Sequence, residues 1–206
     1  FVPLGARLAD IGTDHAKLPL ALVVAGKIAH AIAVDVNEGP FEAARRAVRT
    51  AGLARTVEVR LGDGLAALAP GEVDSVAVAG MGGSLIARIL TDGAAVLQTL
   101  ETLVLQPQSD AAELRTWLYD NGWHVAEESL VRAGGRLYEI LLARRGKKEK
   151  PEPILLEIGP CLWQKKPPLL KEHIEQGMGK SARAREGAAY RALGEKAAAL
   201  EEKLIW

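Results

Sequence analysis

The chain has 206 residues, of which 49% are hydrophobic and 25% are charged, and its formal net charge at pH 7 is zero. This length fits one large domain, or one domain of about 150 residues with an appendage, and the apolar fraction is sufficient for a packed core. A net charge of zero excludes a uniformly basic nucleic-acid binder. The single cysteine excludes an internal disulfide and a cysteine-cluster metal site, and we expect no metal.

The charge is distributed unevenly along the chain. Residues 165–206 carry nine Lys and Arg residues against six Glu, whereas residues 1–164 carry 17 basic residues against 20 acidic ones. A basic tail on an acidic body indicates a polyanionic partner for the tail. No stretch reaches 18 apolar residues and no signal-peptide pattern opens the chain, so we expect a cytoplasmic protein.

Short apolar segments rich in Val, Ile and Leu predict five buried strands, at residues 6–11, 28–35, 56–61, 73–79 and 100–106. Helical patterns follow these strands at residues 15–26, 38–51, 83–92 and 109–121. This alternation predicts an α/β fold, with helices on both faces of a parallel sheet. Strand-like runs at 123–131 and 136–144 then predict an antiparallel hairpin. Five βα units closed by such a hairpin are the outline of a Rossmann-like class I methyltransferase that uses S-adenosyl-L-methionine (SAM).

The remainder of the chain predicts a second, helical domain. Residues 147–153 are charged and rich in proline, which indicates a linker between a catalytic domain at 1–146 and a helical domain at 154–206. Apolar residues at helical spacing in this second part form two narrow stripes. They predict a coiled-coil-like pair of helices.

Acidic residues follow three successive predicted strands. Asp10 and Asp14 flank the end of the first strand, Asp35 ends the second and Asp63 follows the third. The carboxyl ends of parallel strands converge on one crevice, where Asp35 suits a ribose diol and Asp63 suits an adenine amino group. Each Asp alone could be a helix cap. Their occurrence at three successive strand ends favours an adenosine ligand.

The first strand ends in a glycine turn at Gly12, which allows close approach of a ligand to the backbone. A dinucleotide fingerprint would require further glycines, but Asp14 and Lys17 occupy those positions. A pyrophosphate beside Asp14 would meet a like charge, so NAD is disfavoured. The sulfonium and amino groups of SAM are compatible with that carboxylate. His15, at the predicted helix start, suits a ligand-orienting or a capping role.

The fourth and fifth strands end in two further motifs. Ala79-Gly80-Met81-Gly82-Gly83 allows close backbone approach, although a plain tight turn is the alternative. The motif Gln106-Pro107-Gln108 offers amide groups that can bind the edge of an unstacked base. Two solvated glutamines beside a proline turn are an equal alternative for that segment.

Taken together, these motifs resemble the bacterial TrmK family, SAM-dependent methyltransferases that modify N1 of adenine 22 in tRNA. The resemblance is carried in order by ADIGTDHAKLP (9–19), DVNEGPF (35–41), RLGDGL (60–65), AGMGG (79–83), LQPQ (105–108), LRTWL (114–118) and YEI (138–140). It implies a Rossmann-like catalytic domain followed by a coiled-coil domain.

The resemblance also implies roles for individual residues. The methionine end of SAM would lie at the Asp10–His15 turn, its ribose at Asp35 and its adenine at Asp63, with Gly80–Gly83 as the floor of the site. The expected cofactor-binding residues are Asp10, Gly12, Thr13, Asp14, His15, Asp35, Val36, Gly62, Asp63, Gly64, Ala79, Gly80, Met81 and Gly82. The expected catalytic residues are Asp14, Gln106, Pro107 and Gln108, and the expected tRNA-binding residues are Lys165, Lys166, Lys171, Lys180, Arg183 and Arg185.

Two other functions remain compatible with the sequence. The chain could methylate another RNA, a protein or a small molecule. It could also be a non-catalytic SAM-binding interaction protein, with the helical pair as a dimerisation arm.

Overall fold

A seven-stranded sheet forms the centre of the chain in a computed structural model, which describes residues 1–177. The strands are β1 (Leu8–Ile11), β2 (Ala31–Asp35), β3 (Val57–Leu61), β4 (Ser75–Gly82), β5 (Thr102–Ser109), β6 (Trp123–Ala133) and β7 (Arg136–Arg145). The helices are α1 (Lys17–Val24), α2 (Glu38–Thr50), α3 (Gly83–Asp92), α4 (Ala94–Leu97), α5 (Ala111–Asp120), α6 (Pro153–Ile158) and α7 (Pro160–Lys165). A 3₁₀ turn spans Gly64–Ala67.

The strand order is β3-β2-β1-β4-β5-β7-β6, and β1 to β5 are parallel while β7 runs antiparallel to β5 and β6. β1 and β2 are buried at every position, as expected for central strands covered on both faces. This doubly wound sheet with an antiparallel hairpin confirms the predicted Rossmann-like fold class. Among residues 1–177, no helix is long and apolar enough to cross a membrane.

The strand register aligns the ends of the parallel strands. Ile11 of β1 pairs with Val34 of β2 and with Val78 of β4, and Val78 pairs with Leu105 of β5. Across the antiparallel pair, Leu105 is opposite Leu141 of β7. These residues therefore share one level of the sheet. β1 and β2 end at or just beyond this level, whereas β4 and β5 continue beyond it to Gly82 and Ser109.

A buried ion network fastens α6 and α7 to the sheet. Arg115 of α5 is fully buried and donates to Glu128 of β6 at 2.7 Å, to Glu139 of β7 at 2.5 Å and to the Leu156 carbonyl of α6 at 2.9 Å. The second Glu128 oxygen accepts the Cys161 N–H at 2.7 Å. Burial alone lowers the pKa of Arg115, but the charges of Glu139 and Glu128 outweigh it and raise the pKa. The guanidinium is therefore charged, and it joins four elements.

The chain divides into two compact units, Phe1–Lys165 and Lys166–Trp206. The predicted linker at 147–153 lies upstream of this division, because α6 and α7 pack with α5 and β6 inside the first unit. The sequence did not reveal this, since the bonds that hold α6 and α7 come from partners far away in the chain. The prediction of a separate helical domain at 154–206 therefore includes residues that belong to the first unit.

Only the beginning of the second unit lies within the described residues. Residues 170–177 are helical, and the Lys171 ammonium lies 3.9 Å from the Glu175 carboxylate one turn later. Most of the predicted helical pair lies beyond residue 177, outside the described residues.

Neutralising Glu128 should strongly destabilise the first unit. In Glu128→Gln the buried guanidinium keeps only Glu139 as a charged partner, and breaking a buried ion pair costs roughly 3–5 kcal/mol of unfolding free energy. We expect a loss of about 3 kcal/mol in urea unfolding, at the lower end of that range. Glu127→Gln is the matched control, because Glu127 is exposed and its pair with Lys165 spans 3.4 Å. Equal stability of the two variants would contradict the role of the network.

Candidate functional site

A cavity of about 400 Å³ opens at the carboxyl edge of the sheet. The loops after β1, β2, β3 and β4 surround it. Its lining residues are Ile11, Gly12, Asp14, Val34, Asp35, Val36, Asn37, Pro40, Gly62, Asp63, Gly64, Ala79, Gly80, Met81 and Ile89. The volume lies in the usual range for small-molecule sites, and the carboxyl edge is where open α/β sheets bind ligands.

The β1–α1 turn brings its backbone close to Met81. Gly12 has φ +71°, and a Cβ added there would lie 2.1 Å from the Met81 Cε. Asp14 and Ala16 also have positive φ, at +54° and +53°, which is uncommon outside glycine. This tight conformation turns the Asp14 backbone N–H toward the second strand.

Asp35 connects two loops at the wall of the cavity. One carboxylate oxygen accepts the Asp14 N–H at 3.1 Å, and the other accepts the Asn37 N–H at 3.0 Å. The residue is only 6% exposed, yet its side chain lines the cavity. A carboxylate offers about four lone-pair positions. Asp35 therefore keeps one acceptor position on each oxygen for a ligand with two neighbouring donors.

Asp10 lies below the cavity rather than on its wall. It is buried, and its carboxylate accepts the Thr13 hydroxyl at 2.7 Å. Burial raises the pKa of Asp10 to about 6; the Thr13 hydrogen bond opposes this rise and the negative charge of Asp35 adds to it. A cationic ligand group nearby would favour the ionised form of Asp10.

The loops after β4 and β5 are packed directly onto each other. A Cβ at Gly83 would lie 2.3 Å from the Asp110 carbonyl oxygen, so only glycine allows this backbone contact. Beside it, the Gln106 side chain accepts the Gly80 N–H at 3.0 Å and donates to the Pro107 carbonyl at 2.9 Å. Gln106 thus supports the glycine-rich floor of the cavity.

The three residues predicted to meet the target base have different environments. Both polar groups of the Gln106 amide are used within the chain, and Pro107 is buried. Gln108 is exposed, and its Nε2 lies 3.7 Å from the position that a Cβ on Gly80 would occupy. Within residues 1–177 its amide forms no hydrogen bond. Of the three, Gln108 offers an amide to a ligand.

Most residues of the predicted cofactor set line the one cavity, and four do not. Asp10 and Thr13 form the buried pair below it, while His15 and Gly82 lie beside it. The His15 ring is exposed, with Nε2 3.6 Å from the Asp14 carboxylate. His15 does not cap α1, because the cap position is Ala16 and has no side-chain hydrogen bond.

The cavity also contains residues that the sequence did not single out as site residues: Ile11, Val34, Asn37, Pro40 and Ile89. Asn37 and Pro40 mark a helix start in the sequence, and α2 does begin there. Ile89 reaches the cavity from the second turn of α3. No local pattern distinguishes such an apolar wall residue from a core residue.

The predicted tRNA-binding residues are only partly described. Lys165 closes α7 and pairs with Glu127, Lys166 has φ +48°, and Lys171 belongs to the second unit. Lys180, Arg183 and Arg185 lie outside the described residues. Within the described part of the chain, no group of three or more His, Cys, Asp or Glu residues could hold a metal ion.

A second cavity, of about 450 Å³, lies at the opposite edge of the sheet, where the strands begin. Arg7, His30 and Arg55 contribute to its wall. Within residues 1–177, the loops at the carboxyl ends of the parallel strands contribute nothing to its lining. The smaller cavity at the carboxyl edge, where those loops converge, is therefore the candidate site.

Comparison with known proteins finds a family model and a curated relative that each match most of the chain. A family model described as TrmK, tRNA (adenine(22)-N(1))-methyltransferase, matches residues 8–205. The tRNA (adenine(22)-N(1))-methyltransferase of Bacillus subtilis is 42% identical over 149 residues, which cover 72% of this chain. That match spans 63% of the relative's length, less than two thirds of it.

Solved structures share the fold over most of the chain. A Streptococcus pneumoniae protein in complex with S-adenosyl-L-methionine superimposes with a TM-score of 0.85 at 39% identity, covering 89% of this chain and 86% of that one. The B. subtilis m1A22 tRNA methyltransferase TrmK gives a TM-score of 0.84 at 36% identity, covering 92% and 83%.

Asp10 should make the stability of the chain depend on pH. Its pKa of about 6 exceeds the value of 3.8 that is ordinary for an exposed Asp, so the folded state holds this proton more tightly than the unfolded state. The stability that protonated Asp10 contributes is complete below pH 3.8 and is lost as the pH rises through 6, by about 3 kcal/mol in total.

The variant Asp10→Asn cannot titrate, yet its amide oxygen can still accept the Thr13 hydroxyl. We expect the unfolding free energy of Asp10→Asn, measured relative to the native chain, to rise by about 2.4 kcal/mol between pH 4 and pH 7. Urea unfolding over that pH range measures the difference. A difference that stays constant with pH would contradict the buried, perturbed carboxyl.

Proposed function

The chain belongs to the TrmK family, and on that premise we propose that it is a SAM-dependent methyltransferase that modifies N1 of adenine 22 in tRNA. The observation that carries the proposal is the cavity at the carboxyl edge, where Asp35, Asp63 and the glycine-rich loop converge. The similarity to a structure that contains SAM supports the choice of cofactor.

The residues of the cavity fit SAM in both shape and charge. Asp35 retains two acceptor positions, which suit the two hydroxyls of a ribose. Asp63 is exposed on the wall and suits the exocyclic amino group of adenine. Asp14 lines the same cavity, and its carboxylate suits the cationic methionine end. A phosphorylated ligand would instead meet three carboxylates.

When bound, SAM would supply an electrophilic methyl group on its sulfonium. The chain needs no base to activate adenine N1, because this nitrogen carries an in-plane lone pair and no proton. Its residues contribute by positioning the two reactants, which removes a large part of the entropic barrier. Methylation at N1 makes the base cationic before an exocyclic proton is lost. The exposed Asp14 carboxylate on the rim suits that charge and can accept the proton.

The target base must be accessible on its Watson–Crick edge, so it has to be unpaired or flipped out of a helix. Gln108 is the exposed amide beside Gly80, and it can donate to and accept from that edge. Gln106 acts indirectly, because its amide holds the Gly80 N–H. We assign Gln108 to base contact and Gln106 to the support of the floor.

Basic residues at the end of the first unit and in the second unit suit the phosphates of tRNA. These residues are Lys165, Lys166, Lys171, Lys180, Arg183 and Arg185. Contacts of this type would make tRNA affinity fall as the salt concentration rises.

Methyl transfer from labelled SAM to unmodified tRNA tests the proposal directly. Mass mapping of the digested product should place one methyl group on adenine 22, and a tRNA with another base at position 22 should remain unlabelled. Methylation at another position, or only of a small molecule, would overturn the substrate assignment. SAM binding with no transfer to any tRNA would instead indicate a sensor protein.

Removing the Asp35 carboxylate should weaken SAM binding. Hydrogen bonds to a charged acceptor contribute about 1.5–3 kcal/mol each, so loss of two in Asp35→Ala predicts a Kd at least about 100-fold higher by calorimetry. Asp92→Ala is the control, because Asp92 is exposed at the far end of α3. Thermal unfolding of both variants separates a local effect from misfolding. Unchanged affinity in Asp35→Ala would argue against the ribose contact.

Substitutions of the two glutamines, Gln106 and Gln108, should change different kinetic and binding parameters. Gln108→Ala is expected to lower kcat for tRNA by 10-fold or more, with SAM affinity unchanged, because only the contact with the base is lost. Gln106→Ala leaves the Gly80 N–H without its acceptor, and we expect weaker SAM binding as well. Steady-state kinetics combined with SAM titration would measure both effects. Identical behaviour of the two variants would refute the distinction.

A further inference from the structure

The β6–β7 hairpin extends well past Ile11, where β1 ends, and about two residues past Ser109, where β5 ends. Pairing between β5 and β7 stops at Leu105 and Leu141, whereas β6 and β7 remain paired as far as Ala133 and Arg136. Residues 129–140, here called the hairpin arm, therefore continue as two strands that are no longer paired with β5. At about 3.4 Å per residue, the six residues from Leu141 to Gly135 place the tip roughly 20 Å beyond Leu141.

The arm projects on the side of the sheet where the cavity opens. Leu141 and Leu105 share a level with Val78 and Ile11, and the cavity-lining residues Gly12 and Ala79 directly follow Ile11 and Val78. The arm follows β5 in the strand order, so it is adjacent to the strand that carries Gln108. A macromolecule whose base reaches the cavity would pass close to the arm.

The conformation of the tip is well defined. Gly134 and Gly135 both have positive φ, at +54° and +74°, the combination found in two-residue type I′ turns. This turn matches the twist of paired strands and keeps them in register. At the base of the arm, Glu139 is held by Arg115 at 2.5 Å. The side chains of the tip are therefore presented on a supported element.

The arm differs in charge from the loops around the cavity. The loop segments 12–17, 35–38, 62–64, 79–84 and 106–113 contain six carboxylates and one lysine. Segment 131–137 contains Arg132 and Arg136 and no acidic residue, and both arginines are exposed. A polyanion approaching the cavity meets repulsion at its rim and attraction at the tip.

The face of the tip that carries Arg136 also carries apolar surface, whereas Arg132, which is paired with Leu137, lies on the other face. Side chains alternate along a strand, so Arg136, Tyr138 and Val131 share one face of the arm, with Val131 and Tyr138 directly opposite each other. Val131 is 42% exposed and Tyr138 is partly exposed. A cation beside an exposed aromatic and an aliphatic side chain suits the phosphate, sugar and base of a nucleotide.

We propose that the hairpin arm is a tRNA-binding element of the first unit, with Arg136 and Arg132 contacting phosphates close to the target adenine. The inference rests on the proposed function and adds to it a second contact surface, separate from the basic tail. It resolves the conflict between an acidic cofactor cavity and a polyanionic substrate. The cavity keeps its carboxylates for a cationic cofactor, and the arm supplies the neutralising charge.

The test compares two doubly substituted forms of the full chain that lose the same charge. Arg132→Ala/Arg136→Ala removes the cations of the tip. Arg49→Ala/Arg55→Ala is the matched control, because these exposed arginines lie at the end of α2 and before β3, at the opposite edge of the sheet. Binding of unmodified tRNA is measured over a range of salt concentrations, and SAM binding is measured alongside.

The tip variant should bind tRNA about 10-fold more weakly than the control at physiological salt. The slope of log K against log salt should flatten by about 1.5, since each phosphate contact contributes roughly 0.7–0.9. SAM affinity should stay within twofold of the native value, which also shows that the variant is folded. Arg132→Lys/Arg136→Lys keeps the charge and should recover most of the tRNA affinity.

The outcomes separate this inference from the proposed function. Suppose that the tip and control variants have equal tRNA affinity and salt slope while the native chain methylates tRNA normally. This result would overturn the tRNA-binding role of the hairpin arm and leave the proposed function in place. A native chain that neither binds nor methylates tRNA would overturn both. Weaker tRNA binding by the tip variant with no recovery in the lysine variant would overturn the phosphate contacts.

Discussion

Ile11, Val34, Val78 and Leu105 lie side by side in adjacent parallel strands, and the site depends on this hydrogen-bonded register. Because of this register, the loops after β1 and β2 enter the same space as the last residues of β4 and β5, which continue to Gly82 and Ser109. Asp35 then joins the two loops by accepting a backbone N–H from each. A one-residue slip would turn every side chain to the opposite face of the sheet and separate these groups.

The first unit carries negative charge around the cavity and positive charge at the tip of the β6–β7 hairpin. Carboxylates concentrate where the cavity opens, and one of them, Asp10, is buried deeply enough that its pKa rises to about 6. Such a surface favours a cationic small molecule and disfavours nucleic acid. Exposed arginines instead occur at the end of a hairpin that stands clear of the carboxylates. The two preferences can coexist because the sheet separates them in space.

The sequence predicted the fold and the position of the site better than it predicted the hydrogen bonds within the site. Apolar runs and glycine turns are local, so all seven strands and the converging loops were predictable. The amide of Gln106 looked equivalent to that of Gln108, yet its hydrogen bond to Gly80 depends on β4 and β5 being adjacent. Likewise, residues 153–165 lack a strong local pattern, and the bonds from Arg115 and Glu128 that hold them come from distant elements.

The buried ion network of Arg115 determines how the folded chain responds to cleavage between β7 and α6. Segment 147–150, between β7 and α6, is exposed, while the helices that follow it are held by buried ionic and hydrogen-bonded contacts. Covalent continuity through this segment is therefore not what keeps α6 and α7 in place. A protease that cleaves there should yield two fragments that stay associated and separate only on denaturation.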